Sequence, residues 1–275
     1  MGKVWLITGA NSGFGRAFTA AAAERGDTVV ATARRPQELA DLVDAHPGQV
    51  EAVALDVTDL TAIDTTVAGV LARHGRIDVL VNNAGRGHVG AAEAATDGEL
   101  RSLFDLHFFG PAALVRAVLP GMRARRSGEI VQMSSMGGQA SFPGVGAYSA
   151  TKFALEGFSE ALAQEVAPLG IKVLIVEPGA FRTNLMFSNT TSGEIADYER
   201  TVGAFLATAG AATGNEPGDP AKAVAAVVSA LDSDAPPLRL PLGDMGVDML
   251  LGHLDAVRAE ITAWEKVTRA TAFGD

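Results

Sequence analysis

Short β-branched runs alternate with longer segments in which Ala, Leu and polar residues follow a helical period, and this pattern persists through most of the 275 residues. Continuous apolar runs separated by amphipathic helices predict strands covered on both faces, and therefore a parallel sheet built from β-α-β units. Seven runs stand out: KVWLIT, TVVATA, VEAVAL, DVLVNN, EIVQMS, KVLIVE and PLRLPL. They predict an α/β fold, a doubly wound, seven-stranded parallel sheet of Rossmann type with helices on both faces. No Pro/Ser-rich linker divides the first 180 residues and no fixed-period repeat is visible, so residues 1–275 are expected to form one domain. Between 184 and 219, SNTTSGE and GAATGNEPGDP break the helical pattern, and a mobile cap over a pocket is expected there. From 246 to 275, Met249, Leu250, Leu254, Val257, Ile261 and Trp264 recur at helical spacing, predicting a C-terminal helical extension packed on the body or on a partner subunit.

Composition narrows the partners. With 48% hydrophobic residues the chain can build a sizeable core, and a net charge of -10 without any long basic run disfavours nucleic acid. The absence of cysteine excludes disulfides and thiolate metal sites, and none of the five histidines pairs with another at ligand spacing, so no metal is expected. The start MGKVWLITGA does not resemble a secretory signal, and no apolar run approaches the roughly 20 residues of a membrane span. A soluble cytoplasmic protein without membrane partners is expected.

The candidate chemistry begins where the first strand runs into TGANSGFG. Gly9, Gly13 and Gly15 allow close backbone approach to a pyrophosphate, and the helix that opens there offers free N–H groups. The G-x-x-x-G-x-G spacing differs from the commoner G-x-G-x-x-G, yet its place after the first strand favours a dinucleotide. Where the second strand ends, an acid would hold the ribose hydroxyl of NAD, but ATARRP places Arg34 and Arg35 there. Guanidinium groups suit a 2'-phosphate, so NADP(H) is favoured and NAD(H) remains possible. Asp56, in LDVT, is a candidate acceptor for adenine, and NNAG offers Asn82 and Gly85 close to the cofactor.

Tyr148 and Lys152 stand four residues apart at the start of a helix, so they share a face and can touch one small molecule. The alternative is a half-buried ring beside a solvated ammonium. Ser135 ends a strand thirteen residues earlier, and the Gly/Pro-containing loop between them lets serine and tyrosine converge.

In this order, the glycine turn, NNAG, Ser135, Tyr148 and Lys152 resemble the short-chain dehydrogenase/reductase family in its compact single-domain branch. The resemblance covers about residues 3–183, and more loosely the last strand. It implies that Gly9, Gly13 and Gly15, with Asn11, Ser12 and Phe14 in the same turn, cradle the diphosphate. Asp56 and Val57 would meet adenine, while Asn83, Ala84 and Gly85 would support the adenosine half. Tyr148 would exchange the proton, Ser135 orient the substrate oxygen, and Lys152 bind the nicotinamide ribose and acidify the tyrosine. Pro178, Gly179 and Thr183 of EPGAFRT would line the nicotinamide face. The family usually carries an asparagine where LFDLHFFGP has His107, so this histidine either serves the proton relay or packs beneath the site as a core residue.

The implied reaction is hydride transfer between nicotinamide and a hydrophobic ketone, aldehyde or secondary alcohol. Reduction uses neutral Tyr148, whereas oxidation needs tyrosinate and a downward shift of about three pKa units. Phe142, Val145, Phe181, Met186 and Phe187 flank the reacting centre, with His88 as a polar contact. The alternatives are an epimerase or dehydratase on the same fold, or a non-catalytic NADP(H)-binding sensor. Relatives commonly form dimers or tetramers through the two long helices expected near 100–123 and 149–167.

Overall fold

The computed structural model describes residues 2–183, 190–212 and 214–273. The seven expected strands form one all-parallel sheet: β1 (Val4–Thr8), β2 (Thr28–Ala33), β3 (Val50–Ala54), β4 (Val79–Asn82), β6 (Gly128–Met133), β7 (Ile171–Pro178) and β9 (Arg239–Leu242), in spatial order β3-β2-β1-β4-β6-β7-β9. Two further strands of two residues each, β5 (His88–Val89) and β8 (Thr190–Thr191), pair with one another outside it.

The helices are α1 (Gly13–Glu24), α2 (Ala40–Ala45), α3 (Leu60–His74), α4 (Asp97–Phe104), α5 (Gly110–Arg125), α6 (Gly146–Val166), α7 (Ala204–Ala212), α8 (Pro220–Asp232) and α9 (Asp244–Arg269). Buried side chains of β1, β2 and β7 pack with α1, α2 and α8 on one face, including Phe18, Leu42 and Val224. The other face packs with α3, α5 and α6 through Ile63, Leu114 and Leu162. Strands covered on both sides must be apolar throughout, which is why VWLIT is buried at every position.

The chain winds outward from β1 in both directions, so a crevice opens between the carboxyl ends of β1 and β4. Thr8 ties the two loops together there: its Oγ1 accepts from the backbone N–H groups of Asn83 at 2.9 Å and Ala84 at 3.0 Å.

The helical stretch from Asp97 to Arg125 contains a π-helical segment, Asp105–Phe109. By length and composition alone the stretch could cross a membrane, but half of its most apolar window is buried inside the fold. Helix α9 packs on the body near its start, where Gly246 and Leu250 are buried, and then leaves it. Leu254, Ile261, Trp264 and Val267 are exposed.

Candidate active site

Glycines shape the crevice from below. Gly9 adopts φ +63°, and a Cβ there would stand 2.8 Å from Ala84 Cα. A side chain on Gly15 would overlap the Gly9 carbonyl oxygen, so the first turn of α1 closes only on glycine. Asn83 locks the turn by donating through Nδ2 to the carbonyls of Thr8 at 2.9 Å and Gly9 at 3.1 Å. Thr183 sits over Gly13, its Cβ 3.1 Å from where a Cβ of that glycine would lie. Ser12 caps α1 in extended conformation without a side-chain bond, which leaves the helix N-terminus facing the crevice. A cradle that any added Cβ would fill, at a helix N-terminus, fits the diphosphate of a dinucleotide.

At the far end of the crevice Arg34 and Arg35 are exposed just beyond β2. Sequence reading found no carboxylate at this strand end, but the fold supplies one: Glu38, in the turn Pro36–Leu39, pairs with Arg35 and accepts from Asn11 Nδ2 at 2.8 Å. Asp56 is exposed and accepts from Thr58 N–H and Oγ1 at 2.9 and 2.7 Å. Partial burial pushes its carboxyl up, but the Thr58 bonds and then Arg34 outweigh this and hold it below its ordinary value.

Ser135, Tyr148 and Lys152 meet as expected. Ser135 Oγ and Tyr148 Cε1 lie 3.4 and 3.5 Å from the point above Gly137 where a Cβ would stand, so they border one space. Ser135 accepts from Gly137 N–H at 3.0 Å, which orients its hydroxyl. Lys152 is 6% exposed. Its Nζ donates to the Met133 carbonyl at 2.8 Å and stands 5.7 Å from the centroid of the Tyr148 ring. The solvated-ammonium alternative therefore fails.

Burial pushes Tyr148 up to about 12, with Ser135 acting in the opposite direction. Burial also lowers Lys152 to about 8, against the pull of Glu156. Reaching tyrosinate at neutral pH thus requires about five units, on the order of 7 kcal/mol, and not the three units of an unperturbed phenol. The resting site is an acid.

His107 lies in the π-helical segment, 1% exposed, its ring edge-on to Tyr148 at 5.4 Å between centroids. Its Nε2 accepts the Arg86 backbone N–H at 3.1 Å, which assigns the proton to Nδ1. Nδ1 then donates to Thr151 Oγ1 at 3.0 Å, and Thr151 donates to the Tyr148 carbonyl at 2.7 Å. Burial first, then Lys152 and Arg86, keep the imidazole well below its ordinary pKa and hence neutral. With both nitrogens engaged, the ring braces the NNAG loop against the start of α6. His107→Ala should cost about 2–4 kcal/mol, because it leaves the Arg86 N–H without an acceptor and Thr151 Oγ1 without its donor and opens a cavity, and His107→Asn should recover part of this. Urea unfolding measures both.

Several expectations need correction. Asn82 is buried and donates to Gln132 Oε1 at 2.9 Å, so it joins β4 to β6 and does not face the cofactor crevice. The Val57 side chain belongs to the core, leaving only its backbone for adenine. His88 is not available to substrate: 2% exposed, it contacts Thr190 Oγ1 at 2.8 Å and Ser192 Oγ at 2.9 Å, clamping β5 to β8. Phe181 packs against Phe14, the rings tilted with centroids 5.2 Å apart, and against Gly218 and Gly243, so it supports the glycine turn and does not form a pocket wall. Phe142 does line a cleft, of about 310 Å³, with Pro143, Tyr198 and Val202, and stacks on Phe205 at 6.0 Å. Val145 does not line it. Met186 and Phe187 lie outside the described residues. Pro178 and Gly179 end β7, where Gly179 donates to the Leu242 carbonyl at 3.0 Å. Sequence reading missed Glu38, Thr151, Tyr198 and Phe205. Only Thr151 carried a local signal, as a helical hydroxyl three residues past a carbonyl it can bond.

Residues 3–193 match the short chain dehydrogenase family model. A full-length relative, an oxidoreductase of Botryotinia fuckeliana, is 38% identical over 99% of this chain and 100% of its own. A 3-ketodihydrosphingosine reductase of Bacteroides thetaiotaomicron is 42% identical over 71% of each chain. The solved short-chain dehydrogenase from Streptomyces avermitilis is 59% identical, with a TM-score of 0.94 over 99% of this chain and 100% of that one. Other solved members hold NAD in one case and NADP in another. The chain belongs to the short-chain dehydrogenase/reductase family of oxidoreductases.

Proposed function

We propose that the protein is an NADP(H)-dependent reductase of hydrophobic ketones or aldehydes, able to oxidise the matching secondary alcohols at high pH. The observation that carries this reading is the neutral Tyr148 phenol beside Ser135 and Lys152, close to an aromatic cleft. When bound, the nicotinamide supplies the hydride. Tyr148 protonates the substrate oxygen as negative charge develops on it, and Ser135 hydrogen-bonds the same atom and fixes its orientation. Lys152, held by the Met133 carbonyl, places a cation beside the phenol. Gly9, Gly13, Gly15 and the start of α1 would hold the diphosphate, with Thr183 over the turn.

The cleft wall of Phe142, Pro143 and Val202 suits an apolar substrate. The Bacteroides relative named for a long-chain ketone supports the same class. Arg34 and Arg35 favour a 2'-phosphate, although Glu38 must yield Arg35 to reach it. Self-association is part of the proposal, supported by Leu60, Phe109 and Phe153, about half exposed on the outer helices.

Replacing both Arg34 and Arg35 by alanine should weaken NADPH binding about tenfold or more while changing NADH binding less than about twofold. Fluorescence titration with each nucleotide, beside turnover of a diverse carbonyl panel, tests this. Equal losses for both nucleotides would remove the basis for NADP(H).

A further inference from the structure

One turn along α6 from Lys152 stands Glu156, 4% exposed, and against it lies Glu177 of β7, fully buried. Arg239 of β9 serves both: its Nε donates to Glu156 Oε2 at 3.0 Å and lies 3.8 Å from Glu177 Oε1. Its Nη2 donates to Glu160 Oε2 at 2.6 Å, and Glu160 is half exposed. Gln139 donates to Glu177 Oε1. Among the described residues, the second oxygen of each buried carboxyl, Glu156 Oε1 and Glu177 Oε2, has no hydrogen-bond donor, and neither has the buried Ser134 hydroxyl a partner; it borders Gly138 together with Glu156 Oε1.

Two buried carboxyls, Glu156 and Glu177, lie side by side here. Fully ionised, the pair would leave buried acceptors without donors. One proton on the pair supplies a donor, and two adjacent carboxylates in a dry site do not both ionise.

We propose that Glu156 and Glu177 share one proton and return it to Lys152 after each carbonyl reduction. The second half rests on the reductase reading above. Each reduction transfers one proton from Tyr148 to the substrate oxygen. The resulting tyrosinate draws a proton from the Lys152 ammonium, and the carboxyl pair reprotonates the amine. A proton from solvent then restores the pair, so one proton enters for each one consumed and no side chain changes oxidation state. Glu177 is pushed up to about 7, by burial first and by Glu156 second, while Lys152 lies at about 8. His107, with both nitrogens occupied, does not carry the proton.

The nucleotide-free protein tests the shared proton without any turnover. Its infrared spectrum should show a carboxylic-acid carbonyl band at about pH 6 that fades through about pH 7 and is missing in Glu177→Gln. The return path is tested by kinetics: Glu177→Gln and Glu156→Gln should lower kcat about tenfold and enlarge the solvent deuterium isotope effect, with KM values within about twofold. A wild-type spectrum without the band at about pH 6 overturns the shared proton even if no variant folds. Glutamine variants with unchanged kcat and isotope effect overturn the return path. A band in a protein that reduces no carbonyl retains the first half and sinks the reductase reading alone.

Discussion

Replacing Tyr148 by phenylalanine should lower kcat for carbonyl reduction by about 10³-fold while leaving the NADPH dissociation constant within about twofold. The ring is held edge-on by His107, and the helix start is braced through Thr151, so removing one oxygen leaves the packing in place. What disappears is the only phenol that meets Ser135 and Lys152, since the other tyrosine, Tyr198, bonds Glu93 at 2.7 Å at the rim of the cleft. Initial rates beside a fluorescence titration separate the two quantities. Equal damage to binding and turnover would make Tyr148 a structural residue.

Lys152→Met should be nearly as damaging, with a fall in kcat/KM of about 10²-fold to 10³-fold, and it should change the pH profile in a definite direction. In the wild type Lys152 is charged below about pH 8 and loses its proton as pH rises through that value, so reduction declines on the alkaline side. Tyr148, at about 12, contributes nothing in that range. The methionine variant should lack this limb. Stability should move the other way. A lysine with a depressed folded-state pKa binds its proton more weakly folded than unfolded, so the penalty is full below about pH 8 and shrinks as pH rises toward its ordinary value of 10.5. Removing it should stabilise the protein by up to about 3 kcal/mol near neutrality, less the lost bond to Met133. Rate profiles and urea unfolding at matched pH check both signs. An active site that destabilises its own fold is expected where a charge is buried for chemistry.

The main strands were legible because a parallel strand covered on both faces reads as an unbroken apolar run. Strands β5 and β8, at two residues each, give no such run, and their pairing joins positions about a hundred residues apart. For the same reason the role of His88 was hidden: its partners, Thr190 and Ser192, become neighbours only in the folded chain. Ser135, Tyr148 and Lys152 were legible from order and spacing. The two asparagines of NNAG were not separable, since adjacent residues at a strand end point to opposite sides, sending Asn82 into the core and Asn83 to the glycine turn. Glu38 escaped notice because a strand-end rule looks at the residue closing β2, whereas this carboxylate arrives from the following turn. The burial that sets the Tyr148 and Lys152 pKa values is a property of packing and has no sequence signature.

The most direct test of the whole account is isotope transfer. A hydrophobic ketone is incubated with the protein and NADPH carrying deuterium on its reactive ring carbon, and the alcohol product is examined by mass spectrometry. Deuterium at the carbinol carbon, formed by the wild type and not by Tyr148→Phe, is the predicted result. Tight NADPH binding with no labelled alcohol from any member of a broad carbonyl panel would contradict it.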